Sequence, residues 1–570
     1  MEKWVVAAKR ADFQQIGKEF NIDPVIARLI RNRDVQTREE INEYLHGTLE
    51  DLPSPWLLKD MKKTVEILEE KIRTKEKIRI IGDYDIDGVT STYILLTGLY
   101  RVGAKVDTYI PDRVADGYGI HEHLILQAEK DGIDTIITCD NGIAAGGEIA
   151  LAREKGMTIL VTDHHEIPYR EEEGERTLLL PPADAIINPK QPDCAYPNKN
   201  ICGAVVAWKL VWALYEHFGI PGEEIRDLLE FAAIATVGDV MDLQGENRIL
   251  VKEGLKKLPD TKNQGLQALI RANGLEGGKI TAYHIGFVLG PCINASGRLD
   301  TANRSLRLLK EQDPDEAARL AGDLTALNQS RKALTEQGKE EAIRLVEETE
   351  LKQDRVLVIY LPECHESLAG IIAGRIREKY HKPVFVLTNG ENGAKGSGRS
   401  IEAYSMYEEL VKCGDLLTQF GGHPMAAGLS LPVENIEAFR ERLNENCSLT
   451  SEELIPKVLI DVPMPITYIT RSLVEELSLL EPFGKGNTKP LFAQKHMQVL
   501  RPRILGKNRN VVKMQLMDEA GFVMDGVYFG EAEEFVGFVQ NHKQISVTYY
   551  PEINRFQGKE TLQIILQNYC

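Results

Sequence analysis

The chain lacks the features that would assign it to a membrane, secreted or zinc-binding class. No apolar run is long enough to span a bilayer, and the first ten residues, MEKWVVAAKR, lack the apolar core of a secretory signal. The eight cysteines are scattered and contain no Cys-x-x-Cys pair, which argues against a zinc–thiolate site and for a reducing compartment. We therefore expect a cytoplasmic protein with no membrane partner.

The chain also lacks an excess of positive charge. It has 68 Lys and Arg against 86 Asp and Glu, a formal net charge of −18, which does not favour nucleic-acid binding by the whole surface. An anionic ligand would need metal ions or a local basic surface.

One local basic surface exists near the end of the chain. Residues 482–517 contain no Asp or Glu but eight basic residues, which are Lys485, Lys489, Lys495, Arg501, Arg503, Lys507, Arg509 and Lys513. This stretch is either a solvated basic face or a surface that binds single strands of nucleic acid.

Length and patterning predict several domains. A chain of 570 residues is too long for one core, and 43% hydrophobic with 27% charged residues is typical of a globular protein. Strands alternate with helices from residue 78 to about 240, which predicts an α/β fold with a doubly wound parallel sheet. A second α/β unit begins near residue 355, and short strands from residue 458 onward predict a small barrel.

We predict five segments with the following boundaries. They are a helical lead-in at 1–55, the first α/β domain at 56–275, a long helical connector at 276–350, a second α/β domain at 351–450 and a β-barrel at 455–570.

Three carboxylates stand in the stretch Ile78–Thr92, directly after an apolar strand. If the segment is extended, Asp83, Asp85 and Asp87 point the same way, because residues two apart share a face. Uncompensated carboxylates repel one another, and a polyvalent cation is the simplest remedy. The alternative is a polar loop whose acids cap the predicted helix Tyr93–Tyr100.

Two later strands also end in metal-binding residue types. One strand is followed by Asp140 and the next by Asp163, His164 and His165. Each alone is an ordinary strand-end turn, but in open parallel sheets this edge binds ligands, so the coincidence favours a metal site. Carboxylate oxygens with imidazoles and no thiolate suit Mn²⁺ or Mg²⁺, and so many acids favour two ions about 4 Å apart.

These motifs resemble those of the DHH phosphoesterases. The family's motifs are matched by DYDIDG at 83–88, DNG at 140–142 and DHH at 163–165, and Ala235–Val240 is similar to its final acidic motif. Further similar segments lie at 110–119, 202–207, 290–298, 327–331, 395–400, 421–428 and 482–487, so the resemblance covers nearly the whole chain. It is greatest to the family's bacterial single-strand-specific 5′→3′ exonucleases. It implies a DHH domain, a DHH-associated domain and a C-terminal OB-fold.

The resemblance implies roles for individual residues. The ligands of two ions would be Asp83, Asp85, Asp87, Asp140, His164 and Asp239. Asp140, His164 and His165 would be catalytic, with His165 at the scissile phosphate, and Asp163 would orient a neighbouring imidazole.

The substrate contacts come from other segments. By resemblance, Arg113, Ser397 and Arg399 would hold a 5′-phosphate, and Arg298 and His423 would also contact substrate. The glycine-rich stretch at 393–400 is either a loop whose backbone N–H groups cradle phosphate or an ordinary turn.

We expect, from this resemblance, metal-dependent hydrolysis of single-stranded DNA from a 5′ end to 5′-mononucleotides, in DNA repair and recombination. The partners would be single-stranded DNA, a helicase and a single-strand-binding protein, and the enzyme would be a monomer. One alternative is a phosphoesterase for short oligoribonucleotides or cyclic dinucleotides, against which length and the basic stretch argue. The other is an inactive DNA-binding scaffold, against which the intact acids and imidazoles argue.

The sequence departs from the family pattern at three places. Cys292 stands where relatives usually have arginine, which predicts a weakened phosphate contact, and Cys139 stands where an aliphatic residue is usual, from which we expect little consequence. The stretch Glu363–Leu368 replaces a different family sequence, which predicts altered substrate contacts there. None of these departures removes an expected metal ligand.

Overall fold

The chain begins with one strand and three helices that pack on its C-terminal barrel. The computed structural model describes residues 2–112, 116, 119–172, 175–390, 393–556 and 558–570. The first elements are β1 (Lys3–Val6), α1 (Phe13–Phe20), α2 (Pro24–Asn32) and α3 (Arg38–His46). Strand β1 pairs in parallel with Lys457–Ile460, and buried side chains of α2 and α3 share one core with the barrel. The sequence predicts these helices but not their packing, because their partners lie at the other end of the chain.

The first α/β domain consists of a parallel sheet between helices. Its elements are α4 (Met61–Arg73), β2 (Lys77–Ile81), α5 (Ile86–Arg101), β3 (Lys105–Tyr109), α6 (Glu122–Lys130), β4 (Thr135–Cys139), α7 (Gly146–Glu154), β5 (Thr158–Thr162), β6 (Tyr169–Glu172), β7 (Glu175–Leu178), β8 (Ala185–Ile187), α8 (Gly203–His217), α9 (Leu229–Gly238), α10 (Gly245–Lys257) and α11 (Gln264–Ala272). The five strands of the sheet run in the order β3-β2-β4-β5-β8, all parallel. The predicted doubly wound parallel sheet is confirmed. The strand order reverses between β2 and β4, the position at which such sheets bind ligands.

A helical connector joins the two α/β domains. It contains α12 (Ala282–His284), a π-helical segment at Ile285–Leu289, α13 (Gly290–Leu299), α14 (Asn303–Lys310) and α15 (Pro314–Glu348). The first three run on without a break. Helix α15 has 35 residues and is about 50 Å long. It contacts α11 and α13 at one end and α16 (Glu366–Tyr380) at the other, so it sets the spacing of the domains.

The second α/β domain contains a mixed sheet. Besides α16, its elements are β9 (Leu357–Tyr360), β10 (Val384–Gly390), β11 (Gly393–Arg399), α17 (Met406–Val411), β12 (Gln419–His423), β13 (Ala426–Leu431) and α18 (Ile436–Glu445). The strand order is β12-β13-β11-β10-β9, and only β9 and β10 are parallel. The glycine-rich stretch predicted as a loop is strand β11, paired on both sides. Its backbone N–H groups pair with the neighbouring strands β10 and β13, so the predicted backbone cradle for phosphate is wrong.

The C-terminal domain is a closed barrel. Its elements are β14 (Lys457–Ile460), β15 (Val462–Pro463), α19 (Arg471–Leu477), β16 (Phe492–Leu505), β17 (Val511–Met517), β18 (Val523–Phe529), α20 (Ala532–Asn541), β19 (Ile545–Phe556) and β20 (Lys559–Tyr569). The sheet order is β15-β16-β17-β18-β20-β19, and pairing of β16 with β19 closes the ring. The predicted OB-like barrel is confirmed, although β16 has 14 residues and is not short. Within the described ranges, no helix combines the length and apolar character needed to cross a membrane.

Candidate metal centre

The first acidic motif lies where β2 passes into α5. Asp85 is the N-cap of α5, and its Oδ1 accepts hydrogen bonds from the N–H of Asp87 at 2.9 Å and of Gly88 at 3.1 Å. Helix α5 therefore begins seven residues before the predicted Tyr93, and the extended geometry expected for the three acids is wrong. The carboxylate of Asp85 forms the cap because it reaches two N–H groups that the helix leaves without intrahelical partners.

Asp87 is held by the N-terminus of another helix. Its Oδ2 accepts from the N–H of Gly203 at 2.6 Å and its Oδ1 from the N–H of Ala204 at 2.7 Å, both at the start of α8. The partial positive charge of a helix N-terminus stabilises such a carboxylate. Gly203 is required there, because a Cβ atom at this position would lie 2.7 Å from the Cβ of Asp140.

Asp140 and His164 come from the ends of β4 and β5. Asp140 has a left-handed backbone with φ of 60°, which asparagine and aspartate adopt more readily than most residues. The Nε2 of His164 lies 3.1 Å from Asp140 Oδ1 and 3.6 Å from Asp87 Oδ2. The ends of two neighbouring strands thus bring His164 against the buried carboxylate of Asp140, and the first turn of α5 adds that of Asp87.

Asp239 completes the cluster from outside the sheet. It follows the last residue of α9, and its Oδ2 lies 3.8 Å from His164 Nε2. Possible ligand atoms lie within 4.8 Å of one another in three groups, which are Asp83 with Asp85 and Asp140, Asp87 with His164 and Asp239, and Asp140 with His164 and His165. The structure therefore brings together all six predicted metal ligands and His165, the predicted catalytic imidazole.

His165 has a different environment from His164. Its ring Nδ1 lies 2.8 Å from Asp163 Oδ1, and the second oxygen of Asp163 accepts from the N–H of Ile143 at 2.9 Å. The prediction that Asp163 orients an imidazole is confirmed. The side chain of His165 is 42% exposed and that of His164 only 9%, so His165 is the imidazole that a substrate can reach.

The acids of the cluster carry more negative charge than their surroundings compensate. Burial and the charge of neighbouring carboxylates raise the pKa of Asp85 and Asp140, and they raise that of Asp239 to about 8. Carboxylate oxygens are the ligands that the divalent cations Mn²⁺ and Mg²⁺ prefer, and a bound cation would relieve the repulsion between the crowded carboxylates. The residues present therefore match a site for Mn²⁺ or Mg²⁺.

The pKa values of the two imidazoles are shifted in opposite directions. Burial lowers the pKa of His164, which keeps the ring neutral and able to donate a lone pair to a metal. Burial would also lower the pKa of His165, but the hydrogen bond to Asp163 and the negative charges of Asp163, Asp87 and Asp239 together outweigh burial and raise the pKa to about 9. These contacts favour the protonated ring of His165.

Arg298 of the connector and Ser397 and Arg399 of the second domain lie near the first turns of α16. Arg298 donates from Nη1 to the carbonyl of Ser367 at 2.9 Å. Ser397 and Arg399 lie on one face of β11, against Gly370 of α16. His423, exposed on the edge strand β12, is in register with Ala426 and through it with Arg399, so the two side chains share that face.

Three predictions have other outcomes. Arg113 lies outside the described residues. Cys292 is fully buried, with its sulfur 3.3 Å from Asn328 Nδ2, and the weakened phosphate contact at this position stays a prediction. In the departing stretch Glu363–Leu368, His365 is the N-cap of α16, where its Nδ1 accepts from the Ser367 N–H.

Sequence reasoning missed residues that position the cluster. Asn294 of α13 accepts through Oδ1 from the N–H of Ile86 at 2.8 Å, which fixes the start of α5 from the connector. Gly203 donates to Asp87 and leaves room for the side chain of Asp140. Both positioning residues lie in segments that resemble family motifs, at 202–207 and 290–298. The resemblance marks these segments but does not indicate which residues they contact.

Three protein-family models match the chain. They are the N-terminal domain of the DHH family at residues 77–236, the DHHA1 domain at 353–449 and the RecJ OB domain at 460–568. The matched ranges lie inside three of the predicted segments, whose outer boundaries stay a prediction.

Curated relatives and solved structures match over most of their length. The chain is 36% identical to the single-stranded-DNA-specific exonuclease RecJ of Bacillus subtilis, over 99% of this chain and 70% of the relative, and 34% identical to that of Escherichia coli, over 96% of both. The crystal structure of RecJ from Thermus thermophilus in complex with Mn²⁺ superposes with a TM-score of 0.83 at 29% identity, covering 100% of this chain and 79% of that chain. A crystal structure of exonuclease RecJ bound to manganese has a TM-score of 0.60 at 35% identity, covering 71% and 97%.

Proposed function

The chain belongs to the RecJ family of single-stranded-DNA-specific exonucleases, and on that premise we propose that it hydrolyses single-stranded DNA from the 5′ end and releases 5′-mononucleotides. The observation that carries this proposal is the convergence of the acids and of His164 and His165 at the switch point of the first sheet. A scaffold without catalysis would not need this set of buried like charges.

The cofactors are Mn²⁺ or Mg²⁺. When bound, two such ions lower the pKa of a water molecule and neutralise charge on the phosphate that it attacks. We assign one ion to Asp83, Asp85 and Asp140 and the other to Asp87, His164 and Asp239, following the groups that the fold brings together. Asp140 borders both groups, so we assign it as the shared ligand.

The protein's own residues orient the substrate. His165, held by Asp163, which also raises its pKa, donates a hydrogen bond to a non-bridging oxygen of the scissile phosphate. Ser397, Arg399 and Arg298 form a pocket for the 5′-phosphate at the start of α16. Because only a strand end fits that pocket, the next linkage is the one presented to the cluster, and this sets the direction.

The wider assignments follow from the same premise. We place the enzyme in the cytoplasm as a monomer in DNA repair and recombination, with a helicase and a single-strand-binding protein as partners. The eight cysteines are all free, which agrees with a reducing compartment. The exposed basic residues of β16 and β17 supply a surface for the DNA backbone.

A polarity assay tests the proposed function. Single- and double-stranded oligonucleotides labelled at either end are incubated with Mn²⁺, with Mg²⁺ or with chelator. We expect metal-dependent loss of mononucleotides from the 5′ end of the single strand only. Equal degradation from 3′ ends, or preference for dinucleotides, would overturn the assignment.

Two arginine variants of the second domain test the proposed 5′-phosphate pocket. Arg399→Ala should weaken the preference for a 5′-phosphate over a 5′-hydroxyl about tenfold or more, because a charge-assisted contact is lost. Arg442→Ala, which removes an exposed arginine of the same domain paired with Asp415, should leave that preference unchanged.

A further inference from the structure

A tight turn of the barrel, Gly484–Asn487, contacts the first α/β domain. The N–H of Gly484 donates to the carbonyl of Asn487 at 2.9 Å, and the reverse bond measures 3.2 Å. Gly486 has φ of 71°, in the left-handed region that favours glycine. The side chain of Asn487 is fully buried, and its Nδ2 donates to the carbonyl of Pro482 at 2.8 Å. The turn is therefore firmly attached to its own domain.

The tip of this turn holds the segment that follows Asp239. The carbonyl of Lys485 accepts from the N–H of Leu243 at 2.8 Å. The carbonyl of Gly486 accepts from Nε2 of Gln244 at 3.0 Å. Both acceptors are backbone groups, so the hold depends on the shape of the turn and not on a particular side chain.

Two glycines allow the turn to approach that segment closely. A Cβ atom at Gly484 would lie 2.6 Å from Cδ1 of Leu243, which is 1% exposed. A Cβ atom at Gly486 would lie 3.1 Å from the Cβ of Asp242. An alanine at Gly486 would therefore push the turn and the segment apart.

The position of Asp239 depends on the backbone around it. The carboxylates of Asp85 and Asp87 are oriented by backbone N–H groups of helices. The carboxylate of Asp239 accepts no hydrogen bond from the residues that the structure describes, and its side chain is 29% exposed. Its backbone is fixed by α9 on one side and by the segment after it on the other.

The first residue of that segment is strained. Val240 has φ of 56°, and a β-branched residue is unfavourable in the left-handed region. Such strain persists only where the surrounding structure imposes it. The end of α9 imposes part of it, because the N–H of Met241 donates back to the carbonyl of Thr236 at 3.0 Å. The barrel turn, which holds the next residues, prevents the segment from relaxing.

We propose that the turn Gly484–Asn487 positions Asp239 for its metal ion, through the backbone carbonyls of Lys485 and Gly486. The barrel then completes the frame of the metal centre in addition to supplying a surface for DNA. This inference rests on the proposed assignment of Asp239 as a metal ligand. The two carbonyls act through Asp239 and are not ligands themselves.

A Mn²⁺ titration of the metal-free, full-length protein tests the role of the turn without an activity assay. The electron paramagnetic resonance signal of unbound Mn²⁺ gives the number of bound ions and the Kd of each. We expect two ions in the wild type. In Gly486→Ala one Kd should stay unchanged and the other should rise about tenfold or more, as when a group that orients a ligand is lost. Asp239→Asn should raise the same Kd.

A gentler variant avoids strain in the turn. Gln244→Ala removes an exposed side chain and its bond to the carbonyl of Gly486, but keeps the bond between Leu243 and Lys485. It should raise the same Kd by a smaller factor than Gly486→Ala does.

Gly521→Ala is the matched control for Gly486→Ala. Gly521 lies in the turn between β17 and β18 with φ of 84°, and no described atom lies within 4 Å of the place that its Cβ would take. Both variants force alanine into the left-handed region, so both should lower the Tm of the metal-free protein. Only Gly486→Ala should change Mn²⁺ binding.

A second substitution should rescue the affected site. Val240→Gly removes the strain that would move the segment once the turn no longer holds it. Alone, it should bind Mn²⁺ as the wild type does. Gly486→Ala/Val240→Gly should recover most of the affinity that Gly486→Ala loses, which a general loss of barrel stability would not allow.

Three results would overturn the positioning role. They are wild-type Mn²⁺ binding in Gly486→Ala, an equal loss of binding in Gly521→Ala, and unchanged binding in Asp239→Asn. The last would also refute the assignment of Asp239 as a ligand, whereas the first would leave it standing. If the variants bind Mn²⁺ as expected but the wild type does not hydrolyse single strands, the exonuclease proposal fails and the positioning role stands.

Discussion

The first α/β domain buries charge in two ways, and helix α8 takes part in both. At its start, α8 binds Asp87 of the metal cluster, where several carboxylates face two imidazoles. Further along, Lys209 is 0% exposed and pairs at 2.8 Å with Glu246, which also accepts from the hydroxyl of Tyr196 at 2.5 Å. One site has excess charge of one sign, and the other balances its charges.

The difference separates function from structure. A buried pair of opposite sign satisfies itself and fixes the packing of α8 against α10, so it implies no ligand. A buried set of like charges is costly until cations join it, so it marks a binding site. We therefore expect variants of the cluster to lose activity and variants of the pair to lose stability.

The largest expected effect comes from the cluster. Asp140→Asn keeps the shape of the side chain and the left-handed backbone but removes the negative charge of the residue that we propose as the shared ligand. We expect the rate of nucleotide release to fall at least about 10³-fold, as the loss of several kcal/mol of transition-state stabilisation implies. Without metal, Tm should stay equal or rise, because repulsion among the acids falls.

Asp131→Asn is the control for that variant. Asp131 is a partly exposed acid bonded to Arg79, away from the cluster, and its loss should leave the rate unchanged. Activity of Asp140→Asn near the wild-type level would refute the metal assignment.

The second effect tests the balanced pair. Lys209→Met leaves Glu246 buried without its cation, and we expect the free energy of unfolding to fall by about 3–5 kcal/mol. Urea denaturation measures this loss, while the rate per folded molecule should stay near that of the wild type. Lys209→Met/Glu246→Gln should recover much of the stability, since the remaining amide can still accept from Tyr196. If the double variant is no better than the single one, charge imbalance is not the cause.

The third effect concerns a buried acid, Glu230, which forms no ion pair with any residue that the structure describes. Glu230 is 2% exposed, its carboxylate accepts from the Thr261 hydroxyl, and burial raises its pKa to about 7. A raised acid pKa means that the folded state prefers the protonated form. Its contribution to stability is therefore full below about pH 4.5 and lost as the pH rises to about 7.

Glu230→Gln should remove that loss. We expect equal unfolding free energies for variant and wild type near pH 4.5, and an advantage of up to about 3 kcal/mol for the variant at pH 8. Chemical denaturation at both pH values measures the difference. If the difference in unfolding free energy between variant and wild type were the same at pH 4.5 and pH 8, the raised pKa of Glu230 would be contradicted.

The smallest effect compares metal-bound and metal-free protein. Chelator-treated wild type should gain about 2.7 kcal/mol of stability when Mn²⁺ is added at about 100 times its Kd, by mass action. Thermal denaturation with and without Mn²⁺ gives this gain without any activity assay. Lys209→Met should gain as much as the wild type, whereas Asp140→Asn should gain much less. An equal gain in both variants would place the metal elsewhere.

The two sites also differ in how far they follow from the sequence. The cluster is predictable because each ligand follows a strand or lies in a short motif, and parallel strands bring their ends to one edge. The pair of Lys209 and Glu246 is not, because a lysine inside an apolar helix pattern gives no sign of its partner on another helix. The strand β11 is not predictable for a related reason. Its glycine content favours a loop, and only pairing with β10 and β13 makes it a strand.

The sequence by itself determined the alternation of strands and helices, the order of the motifs and the chemistry of the ligands, because these depend on residues close together in the chain. Only the tertiary structure decided that Asp85 begins α5 as its cap, that α8 binds Asp87, that the N-terminal helices complete the core of the barrel, and that a turn of the barrel holds the segment after Asp239. Each of these depends on contacts between distant segments, and a contact between distant segments leaves no periodic pattern in either of them.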